Sequence, residues 1–303
     1  MPELPEVETI ARGLAKRVTG DAIESVWLGQ KKEPLKSPAH EIADVVEHSR
    51  IARVHRMGKH IVFDLEREPA RGNGKKSIRT DRDRKTASPP VQTRATRPTP
   101  VANSKAQFIV HLGMTGRLQV CEPDAEIAKH THAILKLESH RELRFVDPRR
   151  FGRLSVAASG EFATVGTEPL EIDLESFIPL FRGRKTPIKS ALLNQKLLRG
   201  VGNIYADEAL FRAGIRPRRQ AASVTREQLK KLFVAVKEVL KEAIKLGGSS
   251  ISDYVDADGE EGFFQLRHRV YGREGQSCLV CKTPIKRVVI AGRSSHYCPR
   301  CQK

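Results

Sequence analysis

The spacing of apolar residues predicts a helix at the start of the chain, over residues 3–18. The residues on its apolar face are Val7, Ile10, Ala11, Leu14 and Val18. A short second helix is predicted before residue 50. Ser37 suits its N-cap and Pro38 its first position, ahead of the apolar Ile42.

Runs typical of β-strands fill the rest of the first half of the chain. They span residues 22–28, 50–56, 60–66, 107–112, 117–120, 132–138 and 142–146. The last two runs lie close enough together to form a hairpin. Because the strands are many and the helices few, we predict a β-sandwich with flanking helices for residues 1–160.

Beyond residue 160 the apolar spacing becomes helical. We predict helices over residues 174–182, 187–194, 203–213 and 225–246. Asp173 suits the N-cap of the first of them. The fold class is therefore α+β, with a helical domain over residues 161–265 and a small cysteine-rich unit over 266–303.

Residues 67–106 interrupt the sandwich with a different composition. They hold 11 Lys and Arg but only 3 Asp and Glu, and almost no large apolar residues. Such a segment cannot bury enough apolar surface to offset the entropy of ordering it, so we predict a disordered basic insertion. It either binds DNA loosely by charge or has no dedicated role.

The charge of the chain points to a polyanionic partner. The 303 residues carry a formal net charge of +18, which is typical of nucleic-acid binding. The alternative is a basic protein with no such partner. No apolar run reaches the roughly 18 residues that span a bilayer, and the acidic N-terminus does not resemble a signal peptide. We therefore expect an intracellular protein without membrane contact.

Four of the five cysteines form two close pairs near the C-terminus, Cys278 with Cys281 and Cys298 with Cys301. Two Cys-x-x-Cys turns separated by 16 residues suit one tetrahedral zinc ion. Four thiolate ligands leave no open position, so the predicted zinc is structural. Cys121 stands alone and is expected to be a buried apolar residue.

The first residues of the chain offer a possible nucleophile. Removal of Met1 would make the amine of Pro2 the N-terminus, and a neutral α-amine can attack a sugar carbon to form an iminium. Glu3 could then transfer protons. The alternative is an ordinary helix start, because Pro and Glu are both common in a first turn.

Three loops are further candidates for contact with DNA. Gly200 and Gly202 precede a predicted helix, where free N–H groups and the helix dipole favour a phosphate, and Asn203 suits the N-cap. The alternative is a plain turn between two helices. The loop with Arg149 and Phe151 and the turn with Met114 suit wedges between bases, or ordinary β-turns.

Six motifs in the same order resemble the formamidopyrimidine-DNA glycosylase family. They are Pro2 to Glu6, Lys59 with its neighbours, His111 to Met114, Asp147 to Gly152, Gly200 to Glu208, and the cysteine pairs with the final Gln302-Lys303. The resemblance runs from residue 2 to 303 and omits only the insertion. It implies a β-sandwich, a helix–two-turn–helix domain, a zinc-ribbon finger and a DNA cleft between the domains.

The resemblance also implies an activity. The family member would remove oxidised purines such as 8-oxoguanine and formamidopyrimidines, and then cleave the abasic strand by β,δ-elimination. Pro2 resembles the Schiff-base nucleophile, Glu3 the proton donor and acceptor at the sugar ring oxygen, and Lys59 the cation near the lesion.

Other positions resemble the family's DNA contacts. Met114, Arg149 and Phe151 resemble the residues that fill the space left by a flipped nucleotide. Asn203 and Arg293 resemble ligands of the phosphate beside the lesion, and Lys196 is carried over as a further DNA contact. Residues 247–264 resemble the loop over the everted base.

Two other functions stay open at the level of sequence. The endonuclease VIII branch prefers oxidised pyrimidines but typically has Gly where this chain has Leu4, and it lacks the Met114, Arg149 and Phe151 trio. A non-enzymatic zinc-finger DNA-binding protein would explain the charge but not Pro2 and Glu3. We expect a monomer in the bacterial cytoplasm, acting on double-stranded DNA with oxidised bases and holding one zinc ion.

Overall fold

A computed structural model describes residues 2–31, 33–67, 105–250 and 260–303. The predicted insertion lies outside the described residues except at its ends. One correction applies at residues 105 and 106, which open a strand because they continue its pairing with the neighbouring strand. Among the described residues, no helix is both long and apolar enough to cross a membrane.

The described residues of the first half form two helices and eight strands. In chain order they are α1 (Leu4–Val18), β1 (Ile23–Leu28), α2 (Ala39–Val46), β2 (Arg50–Met57), β3 (His60–Glu66), β4 (Lys105–His111), β5 (Arg117–Cys121), β6 (Thr131–Leu137), β7 (Glu142–Val146) and β8 (Arg153–Ala158). The predicted elements are confirmed to within one or two residues. Strand β8 is missing from the predicted strands, because its Ser and Ala residues weaken the alternation of apolar and polar positions. Its hydrogen bonds to β4 define it as a strand.

The strands form two four-stranded antiparallel sheets, ordered β2-β3-β4-β8 and β1-β6-β7-β5. Phe63 and Phe108 from the first sheet share one apolar core with Leu135 and Phe145 from the second. The predicted β-sandwich is therefore correct. Helix α1 lies against the sandwich and contributes Leu14 to this core.

The register of the strands places three turns at one end of the sandwich. His60 pairs with His111, and His111 pairs with Arg153. The turn before β3, the loop after β4 and the loop before β8 are therefore neighbours. These three turns carry Lys59 and the predicted wedge residues Met114 and Phe151.

Four α-helices and a two-stranded ribbon form in the second half, where residues 251–259 lie outside the described part. They are α3 (Leu174–Phe177), α4 (Ile188–Leu193), α5 (Asn203–Arg212), α6 (Arg226–Lys245), β9 (Lys286–Ile290) and β10 (Arg293–Tyr297). Asp173 caps α3 as predicted, through a 2.8 Å bond from the Ser176 N–H. Helix α3 is shorter than predicted, because a 3₁₀ turn over Ile178–Leu180 replaces its second half at Pro179.

Two predicted N-caps are wrong by one residue. Pro38, rather than Ser37, is the N-cap of α2, and the Ser37 hydroxyl instead accepts the Val156 N–H at 3.2 Å. Gly202, rather than Asn203, is the N-cap of α5. Cys121 is only half-buried at the end of β5, because that end of the strand lies near solvent.

The start of α1 connects the two halves of the molecule. Leu4 belongs to the apolar core of the helical half, together with Tyr205 and Phe264, whereas Val7 belongs to the sandwich core. The Leu4 N–H donates to the Gly200 carbonyl at 3.0 Å. Residues 2–6 are therefore fixed between the sandwich and the helices. The domain boundaries given above stay a prediction.

Candidate functional site

A cleft of about 640 Å³ lies between the sandwich, the helices and the cysteine ribbon. Six of the sequence-predicted site residues line it: Pro2, Glu3, Lys59, Met114, Asn203 and Arg293. These residues come from positions up to 291 apart in the chain. The structure thus brings together residues that the sequence singled out separately.

Glu3 is buried at the base of this cleft, directly ahead of α1. Its carboxylate accepts the Ile204 N–H at 3.2 Å, so the anion at the N-terminus of α5 is Glu3 itself. Burial raises the pKa of Glu3 to about 7, against the opposing effect of Lys59. A carboxyl group with this pKa can both donate and accept a proton near neutral pH.

Glu6 is a buried acid that sequence reasoning treated only as part of a helix start. It accepts the Glu3 N–H at 2.8 Å and the Ser249 N–H at 2.8 Å, and also the Tyr205 hydroxyl. Burial raises the pKa of Glu6, and these hydrogen bonds oppose the rise. Glu6 thus fixes the backbone of Glu3. Its partners are 199 and 243 residues away, so no local pattern pointed to them.

Lys59 lies in the two-residue turn between β2 and β3. Burial lowers the pKa of Lys59, while attraction to Glu3 and Glu6 raises it. The structure therefore places a desolvated ammonium where its charge favours the ionised form of Glu3. Each of the two groups lowers the free-energy cost of ionising the other in its buried site.

Asn203 and Arg293 also line the cleft. The Asn203 Oδ1 atom is buried without a hydrogen-bond partner in the described parts of the chain. Burial raises the pKa of Tyr271 nearby, against the lowering effect of a hydrogen bond with Asn203. Lys196 is exposed and does not line the cleft, and its backbone N–H is bonded to the Asn194 side chain at 3.0 Å.

The two predicted wedge loops are bonded to each other through Asp147, which is fully buried. Its carboxylate accepts the Thr115 hydroxyl at 2.6 Å and the Gly152 N–H at 2.7 Å. A Cβ on Gly113 would stand 2.5 Å from the backbone of Phe151, so this position requires glycine.

The tips of these loops are exposed. Met114 is 41% and Phe151 49% exposed. The Arg149 guanidinium lies 4.9 Å from the centre of the Phe151 ring. Exposed apolar side chains on buried polar anchors form a rigid projection beside the cleft, which is the form that a base wedge requires.

The four cysteines meet in one cluster. Their Sγ atoms all lie within 4.8 Å of one another. Zn–S bonds of about 2.3 Å in a tetrahedron place sulfurs roughly 3.8 Å apart. The Cys278–Cys301 and Cys281–Cys298 separations of 3.9 and 3.4 Å fit this geometry.

A buried charge cluster attaches the ribbon to the helices. The Lys189 ammonium lies 2.6 Å from an Asp207 carboxylate oxygen and donates to the Ser294 carbonyl at 2.6 Å. Asp207 also accepts the His296 N–H at 2.8 Å. These bonds hold the ribbon beside α4 and α5 and place Arg293 in the cleft. His296 therefore attaches the ribbon to α5, and the four-cysteine site does not need it as a metal ligand.

The loop predicted over residues 247–264 is described only at its two ends, and residues 251–259 lie outside the described part. Its ends are joined: the Gly262 N–H donates to the Ser250 hydroxyl at 2.9 Å, and the Phe263 N–H to the Leu246 carbonyl at 2.8 Å. Ser249 lines the cleft.

Comparison with protein families accounts for most of the chain. Residues 1–154 match the N-terminal domain of formamidopyrimidine-DNA glycosylase, and residues 165–255 match its H2TH domain. Residues 275–303 match a zinc finger found in that enzyme and in IleRS. With the four clustered sulfurs, this match shows one structural zinc site.

Curated relatives and solved structures indicate the same family as the domain matches. The formamidopyrimidine-DNA glycosylase of Solibacter usitatus is 43% identical over the full length of both chains, and that of Thermus thermophilus is 40% identical over 100% of this chain and 98% of its own. The crystal structure of the Thermus thermophilus MutM (Fpg) protein has a TM-score of 0.78 at 38% identity, covering 99% of this chain and 98% of its own. The Lactococcus lactis Fpg bound to DNA with an abasic site has a TM-score of 0.82 at 29% identity and 99% coverage of both chains.

Proposed function

The chain belongs to the formamidopyrimidine-DNA glycosylase family, and we propose that it excises oxidised purines from DNA and then cleaves the abasic strand. The observation that carries the proposal is the shared cleft of Pro2, Glu3 and Lys59, in which burial raises the pKa of Glu3 to about 7. A buried acid with a raised pKa that lines a cleft favours an enzyme over a non-enzymatic DNA-binding protein.

In the proposed reaction the mature chain begins at Pro2. The neutral amine attacks C1′ of an everted nucleotide, a C–N bond forms, and the bond to the damaged base breaks with its electron pair leaving on the base, which takes up the proton that the amine releases. Glu3 donates its proton to the ring oxygen, which opens the sugar and gives an iminium. The Glu3 carboxylate can then accept a C2′ proton for elimination of the 3′ phosphate, and a second elimination releases the 5′ phosphate.

The remaining residues are assigned to DNA binding. Met114 and Phe151 would fill the space of the everted nucleotide, and Arg149 would pair with the orphaned base. Asn203 and Arg293 would hold the phosphate beside the lesion, Asn203 by donating from its Nδ2 amide and Arg293 through its charge, since both line the cleft. Lys196, exposed and outside the cleft, would contact the DNA backbone further along.

We also propose that the chain prefers oxidised purines to oxidised pyrimidines. The Met114, Arg149 and Phe151 trio supports the oxidised-purine branch against the endonuclease VIII branch. Leu4 supports the same branch by family pattern only. It is fully buried against Gly200 and does not line the cleft, so the structure gives it no direct contact with a base in the cleft.

The setting of the activity is proposed from the relatives. Those named above come from bacteria, which supports work on the chromosome in the bacterial cytoplasm. We also propose that one copy of the chain suffices, since all the assigned residues come from a single chain. The three-part division into residues 1–160, 161–265 and 266–303 is part of the same proposal.

Borohydride trapping tests the activity. The protein, with loss of Met1 verified by mass spectrometry, is incubated with a duplex carrying 8-oxoguanine opposite cytosine and with the same duplex carrying guanine. We expect a covalent adduct with the damaged duplex only. Absence of an adduct from fully processed protein would refute the Schiff-base mechanism. Faster turnover of a thymine glycol duplex would favour the endonuclease VIII branch instead.

A further inference from the structure

Arg56 is a buried arginine outside the cleft, and the reaction above gives it no role. Its side chain is 7% exposed. The Nε atom donates to Glu8 of α1 at 2.7 Å, and the two terminal nitrogens donate to the two carboxylate oxygens of Glu168 at 3.0 and 2.8 Å. Arg56 therefore joins β2 to the first helix and to the segment that follows the sandwich.

Glu168 is itself attached to the glycine turn that holds Glu3. Its neighbour Thr167 donates its N–H to the Leu197 carbonyl at 2.9 Å and accepts the Arg199 N–H at 3.1 Å. The Arg199 side chain donates to the Glu168 carboxylate at 3.3 Å. Residue 199 directly precedes Gly200, whose carbonyl accepts the Leu4 N–H.

Arg56 also reaches the turn that carries Lys59. One terminal nitrogen donates to the Gly58 carbonyl at 3.2 Å. Gly58 has a φ of +61° and packs on Arg199, because a Cβ built on it would stand 3.4 Å from the Arg199 Cβ. The Lys59 turn and the glycine turn under Glu3 are therefore held against each other around one guanidinium group.

We propose that Arg56 is a positioning residue that fixes the position of Lys59 relative to Glu3. It does so by binding the Gly58–Lys59 turn together with Glu168, the carboxylate that also binds Arg199. The inference rests on the proposed function, because the pair that it positions is the pair assigned to the reaction. Arginine suits this role. Its planar fork binds both oxygens of one carboxylate while Nε binds another, whereas lysine offers a single point of charge.

The role has a consequence that a purely structural contact lacks. Lys59 holds the pKa of Glu3 below the value that burial alone would give. If Lys59 moves away, the Glu3 pKa rises above about 7. The limb of the pH–rate profile on which protonated Glu3 is lost then moves to higher pH.

Arg56→Lys is the variant that tests the inference, with Arg12→Ala as its control. Arg12 also pairs with Glu8, at 2.7 Å, but its side chain is 63% exposed and does not touch Glu168 or Gly58. Single-turnover excision of 8-oxoguanine is measured from pH 5 to 9, with the active fraction set by borohydride trapping on a preformed abasic site. We expect Arg56→Lys to be slower by about 10- to 100-fold per active molecule, since a displacement of about 1 Å can cost this much. We also expect its falling limb to shift to higher pH, and Arg12→Ala to match the wild type in both respects.

Glu168→Gln provides the second variant, since it keeps the shape of the side chain and removes its charge. It should show a smaller rate loss and the same direction of pH shift, and it decides the matter if Arg56→Lys does not fold. A wild-type rate per active molecule with an unchanged pH profile in the folded variant would overturn the positioning role. Failure of the wild type itself to form an adduct would instead refute the proposed function.

Discussion

Gly202 lies directly against the carboxyl group of Glu3. A Cβ on Gly202 would stand 2.1 Å from the carboxyl carbon and 2.4 and 2.5 Å from its oxygens. The backbone of Gly202, with φ of −130° and ψ of −162°, is extended and open to any residue. Glycine is therefore required there for space and not for conformation.

Gly202→Ala should accordingly remove base excision while leaving the fold intact. The added methyl group must displace Glu3, and misplacement of a proton-transfer group by about 1 Å costs roughly 100-fold or more. Single-turnover excision measures the effect. Gly29→Ala is the control, since its Cβ would meet only ordinary contacts at 3.5 Å or more. Equal rates for the two variants would contradict the assigned position of Glu3.

The Glu3 carboxyl group should also couple folding stability to pH. Burial raises its pKa from 4.5 to about 7, so the folded chain binds this proton more tightly than the unfolded chain. Stability from this group is therefore present at low pH and is lost as pH rises from about 4.5 to 7.

Glu3→Gln mimics the protonated acid and avoids that loss. Its free energy of unfolding should exceed that of the wild type by about 3 kcal/mol more at pH 8 than at pH 4.5, on the scale of 1.36 kcal/mol per pKa unit. Urea unfolding at the two pH values measures the difference. A difference that does not change with pH would show that Glu3 titrates normally.

Much of this site could be predicted from sequence, because its parts are local. The cysteine spacing, the Gly200 turn and the start of α1 each have a signature within a few residues. What holds them together could not be predicted. Glu6 meets Tyr205 and Ser249, and Arg56 meets Glu168, only after the chain has folded, and no periodicity records contacts between such distant positions.

The missed features of the fold have the same physical origin. Strand β8 contains Ser155 and two alanines, so its own residues give a weak strand signal, and its hydrogen bonds to β4 decide the outcome. Gly202 is the N-cap of α5 and has no side chain, and the Glu3 carboxylate accepts the Ile204 N–H that a capping side chain at 202 would bind.

Phe151 should contribute to binding of damaged DNA and not to folding. It is 49% exposed, so Phe151→Ala should change the free energy of unfolding by no more than about 0.5 kcal/mol. Loss of one stacking contact, worth about 1–3 kcal/mol, should weaken binding to a duplex with a tetrahydrofuran abasic analogue about tenfold. Fluorescence anisotropy measures this affinity. Trp27→Ala, which removes an aromatic ring that is 50% exposed on β1, should bind like the wild type.

Removal of zinc should release the ribbon that carries Arg293. Cys298→Ser removes one of the four clustered sulfurs, and the ribbon has few apolar residues to hold it without the metal. Loss of a charged phosphate contact then weakens DNA binding at least about tenfold. Zinc content and DNA affinity are measured together, with Cys121→Ser as the control outside the cluster. Unchanged affinity in zinc-free protein would show that the ribbon does not take part in binding.

The decisive bond of the proposed reaction is the one between the amine of Pro2 and the sugar of the damaged nucleotide. Its most direct test is mass spectrometry of the peptide that carries the DNA remnant after borohydride trapping on 8-oxoguanine. We expect the modified peptide to begin at Pro2 and to carry the remnant on that nitrogen. A remnant on Lys59, or an adduct formed by chains that retain Met1, would contradict it.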